Sequence, residues 1–171
     1  MHPPPHKALG VLVFDTVSGL PVHPLVVHFT VVVGLGAALA VAVAALWPRF
    51  RMWAGPLPLA LSIATLVLVP VSTQSGEKLE ERVKETSLVE RHAEMGEGLL
   101  PWVAALAVGA AVLYWMQRRA ARAGDAAGRP ASARPRAVLV VAVLIALVGA
   151  VGTGVQTVRI GHSGAEAAWK A

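Results

Sequence analysis

Residues 24–47 read PLVVHFTVVVGLGAALAVAVAALW, a run with no formal charge. A helix needs about 20 such residues to cross the roughly 30 Å hydrocarbon core of a bilayer, and it crosses without penalty because it pairs its own backbone amides and carbonyls. Three more runs of that kind follow, at 53–73, 99–117 and 137–160, and Arg159 is the only charged residue inside any of them. The expected fold is therefore all-α: a polytopic membrane protein built as a four-transmembrane-helix bundle. Pro70 is expected to kink the second span, since it removes one amide donor.

The rest of the composition agrees. Of the 171 residues 56% are hydrophobic and 15% charged, against about a quarter charged in a soluble domain. With no cysteine, disulfides, thiolate metal sites, cysteine-ligated iron–sulfur clusters and covalently attached haem are excluded, leaving six histidines as the chief ligand candidates. The net charge of +5 is not an argument for nucleic acid, because the excess sits between spans. Arg49 and Arg51 follow the first span, and Arg118, Arg119, Arg122, Arg129, Arg134 and Arg136 follow the third against Asp125 alone. Both loops should be cytoplasmic by the positive-inside rule, with both termini outside a bacterial inner membrane. The expected organisation is an outer tail over 1–22, the bundle over 23–164 with its arginine loop at 118–136 resting on anionic headgroups, and a tail over 165–171. The apolar stretch near the N-terminus is at the bottom edge of a signal-peptide core, and no cleavable signal is expected.

Small residues should mediate helix association, since lipid removes the hydrophobic drive between helices. The candidates are Gly36, Ala40 and Ala44 in the first span and Ala142, Ala146, Ala150 and Gly154 in the fourth. Two helical hairpins of similar length make an ancient duplication conceivable, with no short repeat visible.

That topology gathers four histidines on the outer side: His23 and His28 at the start of the first span, His92 before the third and His162 after the fourth. Pro24 suits a first helical turn, and His28, a turn inside, is expected to face the bundle near Gly36. Ser87-Leu88-Val89-Glu90 fits a capping box, so a short interfacial helix should begin at Leu88. Leu88, His92, Met95, Leu99, Trp102 and Leu106 then form its buried stripe, while Glu90, Glu94 and Glu97 face water. Leu79 and Val83 suggest an amphipathic extension of the second span at the interface. In the fourth span Gly149, Gly152, Thr153 and Gln156 make a flat, partly polar strip that could accept a planar cofactor or another helix.

Three readings follow. In the first, b-type haem takes His28 and His92 as axial ligands, or His162 in place of either, with Arg159 as propionate partner and Gly149, Gly152 and Gln156 lining the macrocycle. In the second, zinc or copper binds His28, His92 and His162 with water, and His23 as a further candidate ligand. Only Glu77 and Glu166 remain as conceivable bases, so no catalytic residue is assigned. In the third, the outer polar groups tie helix ends together without a cofactor. An electron-transfer or accessory membrane protein fits better than a stand-alone enzyme. The expected partners are the lipid bilayer, a redox protein on the outer side and another copy of the chain in a homo-oligomer, with no nucleic acid.

The elements GLPVHPLVVHF at Gly19–Phe29, Ser75-Gly76, His92-Ala93-Glu94-Met95-Gly96 and Gly161-His162-Ser163-Gly164 resemble the bacterial four-helix membrane family catalogued as domain of unknown function 2231. The resemblance covers Gly19 to the carboxyl end, and its most specific part is His23, Pro24, Val27, His28 and Phe29. Where members often continue with proline this chain has Thr30. The resemblance implies the four-helix fold, and occasional fusion of relatives to Rieske-type or cytochrome modules implies electron transfer.

Overall fold

The structure, a computed structural model, describes residues 16–17, 20–80, 86–124 and 134–170. A two-residue antiparallel pair, β1 (Thr16–Val17) and β2 (Leu20–Pro21), leads into α1 (Val22–Leu46). After it come the short α2 (Pro48–Ala54), α3 (Leu57–Glu80), α4 (Ser87–Glu97), α5 (Leu100–Gly124) and α6 (Arg134–Lys170). Four segments are long and apolar enough to cross a membrane: Val22–Leu46, Leu57–Glu80, Ser87–Arg122 and Arg136–Trp169. They run up and down, so one end of the bundle carries the histidines and the other the arginine-rich connections. At that second end Trp47 stacks on Phe50, Phe50 meets Trp53 at a tilt, and Arg119 lies 4.2 Å over Trp115, an aromatic girdle typical of a membrane boundary.

Several boundaries differ from those expected. The tryptophan expected to open the second span, Trp53, belongs to α2, and α3 begins after the Gly55 turn, where φ is +56°. Helix α3 continues unbroken across Pro70 to Glu80, beyond the 53–73 span. The short interfacial helix exists as α4, but its cap is Thr86, one residue earlier than the sequence suggested, with its hydroxyl accepting from the Val89 amide at 3.4 Å. Helix α6 runs through Gly161–Gly164 to Lys170, because the glycines there keep helical geometry and no tail separates at 165. Arg129 and the Ser132 region of the arginine loop, with Leu79's expected partner Val83, lie outside the described residues.

Helices α1 and α3 form one hairpin, α5 and α6 the other, and they join through α1 on α6 and α3 on α5. Close approach needs small side chains. Gly109 meets the Ala146 backbone and Gly149 meets the backbone at Ala105 and Leu106, so α5 and α6 touch main chain to main chain. Ala142, Ala146 and Ala150 are buried as expected. On α1 the packing stripe is Thr30, Gly34, Ala37, Ala38 and Val41, whereas Gly36 has nothing within 4 Å of where a side chain would start.

The burial pattern repeats. The shift in residue number that carries His23 onto His92 carries Thr30, Gly34, Ala37, Ala38 and Val41 onto Leu99, Val103, Leu106, Ala107 and Ala110, every one of them buried. A second constant shift carries Ser75 onto Ser163, Gly76 onto Gly164, and buried Pro58, Ser62, Thr65 and Val69 onto buried Ala146, Ala150, Thr153 and Thr157. The two hairpins are thus structural repeats in the same orientation, with cross-contacts that exchange as a two-fold along the bundle axis requires. The residue types are mostly different; what recurs is which face of each helix is covered.

Candidate histidine pair at the bundle end

His23 stands seven residues before Thr30, two helical turns, and so continues the buried stripe of α1. His92 stands seven residues before Leu99 and does the same for α4 and α5. Both are half-buried. His23 Nδ1 lies 3.0 Å from Ser75 Oγ on α3, and His92 Nδ1 lies 3.0 Å from Ser163 Oγ on α6. Each bond therefore closes one hairpin at its end.

The serines decide which nitrogen carries the proton. Ser75 Oγ donates to the Ser72 carbonyl at 2.8 Å, and Ser163 Oγ donates to the Ile160 carbonyl at 2.9 Å. A hydroxyl has one proton, so each oxygen accepts from its histidine and Nδ1 carries a proton; the neutral ring is therefore the Nδ1–H tautomer, assigned from the hydrogen-bond chain. The lone pair is then on Nε2. Among the described residues neither Nε2 has a protein partner.

Glycines complete the equivalence. A Cβ on Gly76 would lie 3.1 Å from His23 Cε1, and one on Gly164 would lie 2.9 Å from His92 Cε1, with Nδ1 and then Nε2 next nearest in both cases. Ser75-Gly76 and Ser163-Gly164 are thus the same device used twice: an acceptor for the ring, then a gap in which the ring fits. Sequence reasoning noticed both dipeptides as family features without assigning them a role. The signal that could have found them was the Ser-Gly pair recurring near the histidine-side end of each hairpin.

The other expected ligands are elsewhere. His28 lies two residues before Thr30, about 200° around the helix, and is exposed, with Nδ1 donating to its own helix at the Pro24 carbonyl, 2.6 Å away. The expectation that it faces the bundle fails because it was referred to Gly36, which is not on the packing face. His162 is 77% exposed and lies 3.8 Å from Glu166 on the same helix. Among the described residues no group of three or more His, Asp or Glu side chains converges to hold a metal ion, which removes the expected His28, His92 and His162 triad.

The glycine strip also has a different use. Gly149 is filled by the α5 backbone and Gly152 by the Trp102 indole, so neither leaves room for a macrocycle. Gln156 Nε2 donates to the Met95 carbonyl at 2.9 Å, tying α6 to α4. Arg159 is exposed, at the head of an outward-facing groove beside Gln156 and Trp102. Glu90, Glu94 and Glu97 face outward as expected. Thr30, the departure from the family's proline, is buried: its hydroxyl donates to the Val26 carbonyl at 2.8 Å and shares a 2.7 Å bond with Ser72 Oγ. It joins α1 to α3 one turn below the Ser75 bond.

Comparison with known proteins gives a family and no nearer relative. Residues 19–171 match the family of predicted membrane proteins DUF2231, and the chain belongs to it. No curated protein and no solved structure matches.

Proposed function

We propose that this DUF2231 member is a b-type haem protein of the bacterial cytoplasmic membrane, with His23 and His92 as axial ligands and electron transfer at the outer face as its role. One observation carries the reading: two imidazoles from equivalent places in the two hairpins, each pinned through Nδ1 by a serine, each with an unpartnered Nε2. Holding Nδ1–H in a hydrogen bond is how proteins orient a ligating imidazole and raise its basicity. The donor set fits haem because a porphyrin supplies four nitrogens of its own, so two imidazoles complete the shell. Zinc sites ask for three or four protein donors, and among the described residues no group of three or more converges.

Bound there, haem would supply one-electron chemistry. The chain's own contribution is to fix the ring tautomer through Ser75 and Ser163, to hold both rings against glycine, and to keep the space below dry with Val69, Leu99 and Val103. The arginine-rich end would face the cytoplasm by the positive-inside rule, which puts the pair outside, where a redox protein could reach it. The competing reading is that the two His–Ser bonds are clamps that close the hairpins and nothing more; it leaves both Nε2 atoms without a task.

The test is an absorption spectrum of detergent-purified protein, oxidised and dithionite-reduced, with metal analysis of the same sample after expression with haem and metals supplied. The expected result is a Soret band that shifts on reduction, is lost in His23→Ala and in His92→Ala, and survives in His28→Ala and His162→Ala. Stoichiometric zinc or copper without that band would replace haem by a metal site, and neither would leave the clamp. Because the chain has no cysteine, single-cysteine variants test orientation cleanly. Ser87→Cys should react with impermeant maleimide in intact cells and Arg119→Cys should not.

A further inference from the structure

On the bundle's exterior the two hairpins differ in polarity around one groove. Helix α6 carries Gln156 and Arg159 where the equivalent positions of α3 hold Leu68 and Val71, and Trp102 of α5 stands where α1 has Val33. These three residues gather around one groove of about 470 Å³. Its wall is Val148, Val151 and Val155, all exposed, and its notch is Gly152, against which the Trp102 indole lies. The first hairpin keeps apolar residues at the matching positions, Ala60, Ile63 and Val67, but has no polar head above them.

The head has unused bonding capacity of two kinds. Arg159 has no hydrogen-bonded or ionic partner among the described residues, and it is the one cation within the apolar length of α6. Gln156 is held in place by its amide nitrogen on Met95, leaving Oε1 without a partner as an acceptor. From Val148 to Arg159 the helix rises about 17 Å, close to one leaflet's half of the roughly 30 Å core. An apolar trough one leaflet long, headed by a free guanidinium and a fixed acceptor, has the charge and length complement of an anionic phospholipid.

We propose that this groove is a binding site for an anionic phospholipid, with one acyl chain along Val148, Val151 and Val155, the phosphate on Arg159 and a headgroup hydroxyl donating to Gln156 Oε1. The site is independent of the histidine pair. A lone phosphate oxygen near a guanidinium gains a charge-assisted bond that a zwitterionic lipid offsets with its own cation.

The test is native mass spectrometry of the purified full chain, incubated with equimolar phosphatidylglycerol and phosphatidylcholine of the same acyl composition. Wild type should retain phosphatidylglycerol about fivefold over phosphatidylcholine, the preference expected of one cation at a membrane surface. Arg159→Gln should bring the ratio to about one, while Arg122→Gln, at the other end, should leave it. Val151→Trp, which fills the trough from outside and disturbs no packed helix face, should lower retention of both lipids. Equal retention by wild type, an unchanged ratio in Arg159→Gln, or unaffected retention in Val151→Trp would each overturn the proposal. So would a co-purifying quinone that phosphatidylglycerol fails to displace.

Discussion

If the pair holds haem as proposed, replacing Ser163 by alanine, which removes one oxygen atom from α6, should be felt at the iron. His92 Nδ1 loses an acceptor at 3.0 Å, the one side-chain bond that orients the ring against Gly164. Two consequences follow. A half-buried N–H loses its partner, which costs about 1–3 kcal/mol. The proton is also free to move to Nε2, which turns the donor atom into an N–H and must be reversed before it can ligate. Loss of such an outer hydrogen bond typically lowers ligand affinity by 10–100-fold, or about 1.4–2.8 kcal/mol. Ser75→Ala should cost the same within a factor of about three, because the His23 bond has the same length and the same onward bond to a carbonyl three residues back. Both histidines would hold the same iron, so the double variant should depart from the product of the single losses. The assay is titration of haem into apo-protein followed at the Soret band, with circular dichroism to confirm that the helices persist. Serine to threonine keeps the hydroxyl and serves as the matched control. Undiminished affinity in Ser75→Ala or Ser163→Ala, or a loss in one of them alone, would refute the assignment of equivalent positioning roles.

Other variants probe the frame. Gly164→Ala should weaken haem binding more than Gly76→Ala, since the added carbon would stand 2.9 Å rather than 3.1 Å from its imidazole; the same titration reads the order. Gly149→Leu should prevent the α5–α6 crossing and abolish a monodisperse elution profile, whereas Gly36→Leu, with open space around it, should leave the profile unchanged. Thr30→Val breaks the buried bond to Ser72 and should lower thermal stability by about 1 kcal/mol. Thr153→Val should hold or raise stability, because the Thr153 hydroxyl is buried with no partner among the described residues; melting followed by circular dichroism in one detergent compares the two.

Much of the architecture was legible in the linear chain. Spanning depends on a sum of side-chain transfer energies over about 20 residues, and a sum does not require knowing which way any residue points. The four spans, the short interfacial helix, the arginine-rich end and the gathering of histidines at the other end all rest on sums or on the order of elements. Even Glu90, Glu94 and Glu97 were readable, because α4 is short and its polar face is plain.

Direction around a helix is a different quantity. It advances about 100° per residue, so His23 and His28, five residues apart, differ by about 140°, and an all-apolar span supplies little contrast by which to orient it. Tertiary packing alone settled that His23 points inward with Ser75, that His28 points out, and that Gly149 and Gly152 are filled by α5. The repeat between the hairpins was hidden for the same reason. Packing requires that a position be covered and not that it keep one residue type, so Gly34 can answer to Val103 and Ser62 to Ala150 with few residues in common. The amino-acid order by itself determined that four helices are long and apolar enough to cross a membrane with histidines at one end; only their mutual rotation in three dimensions decided which two of those histidines turn to a serine across their hairpin.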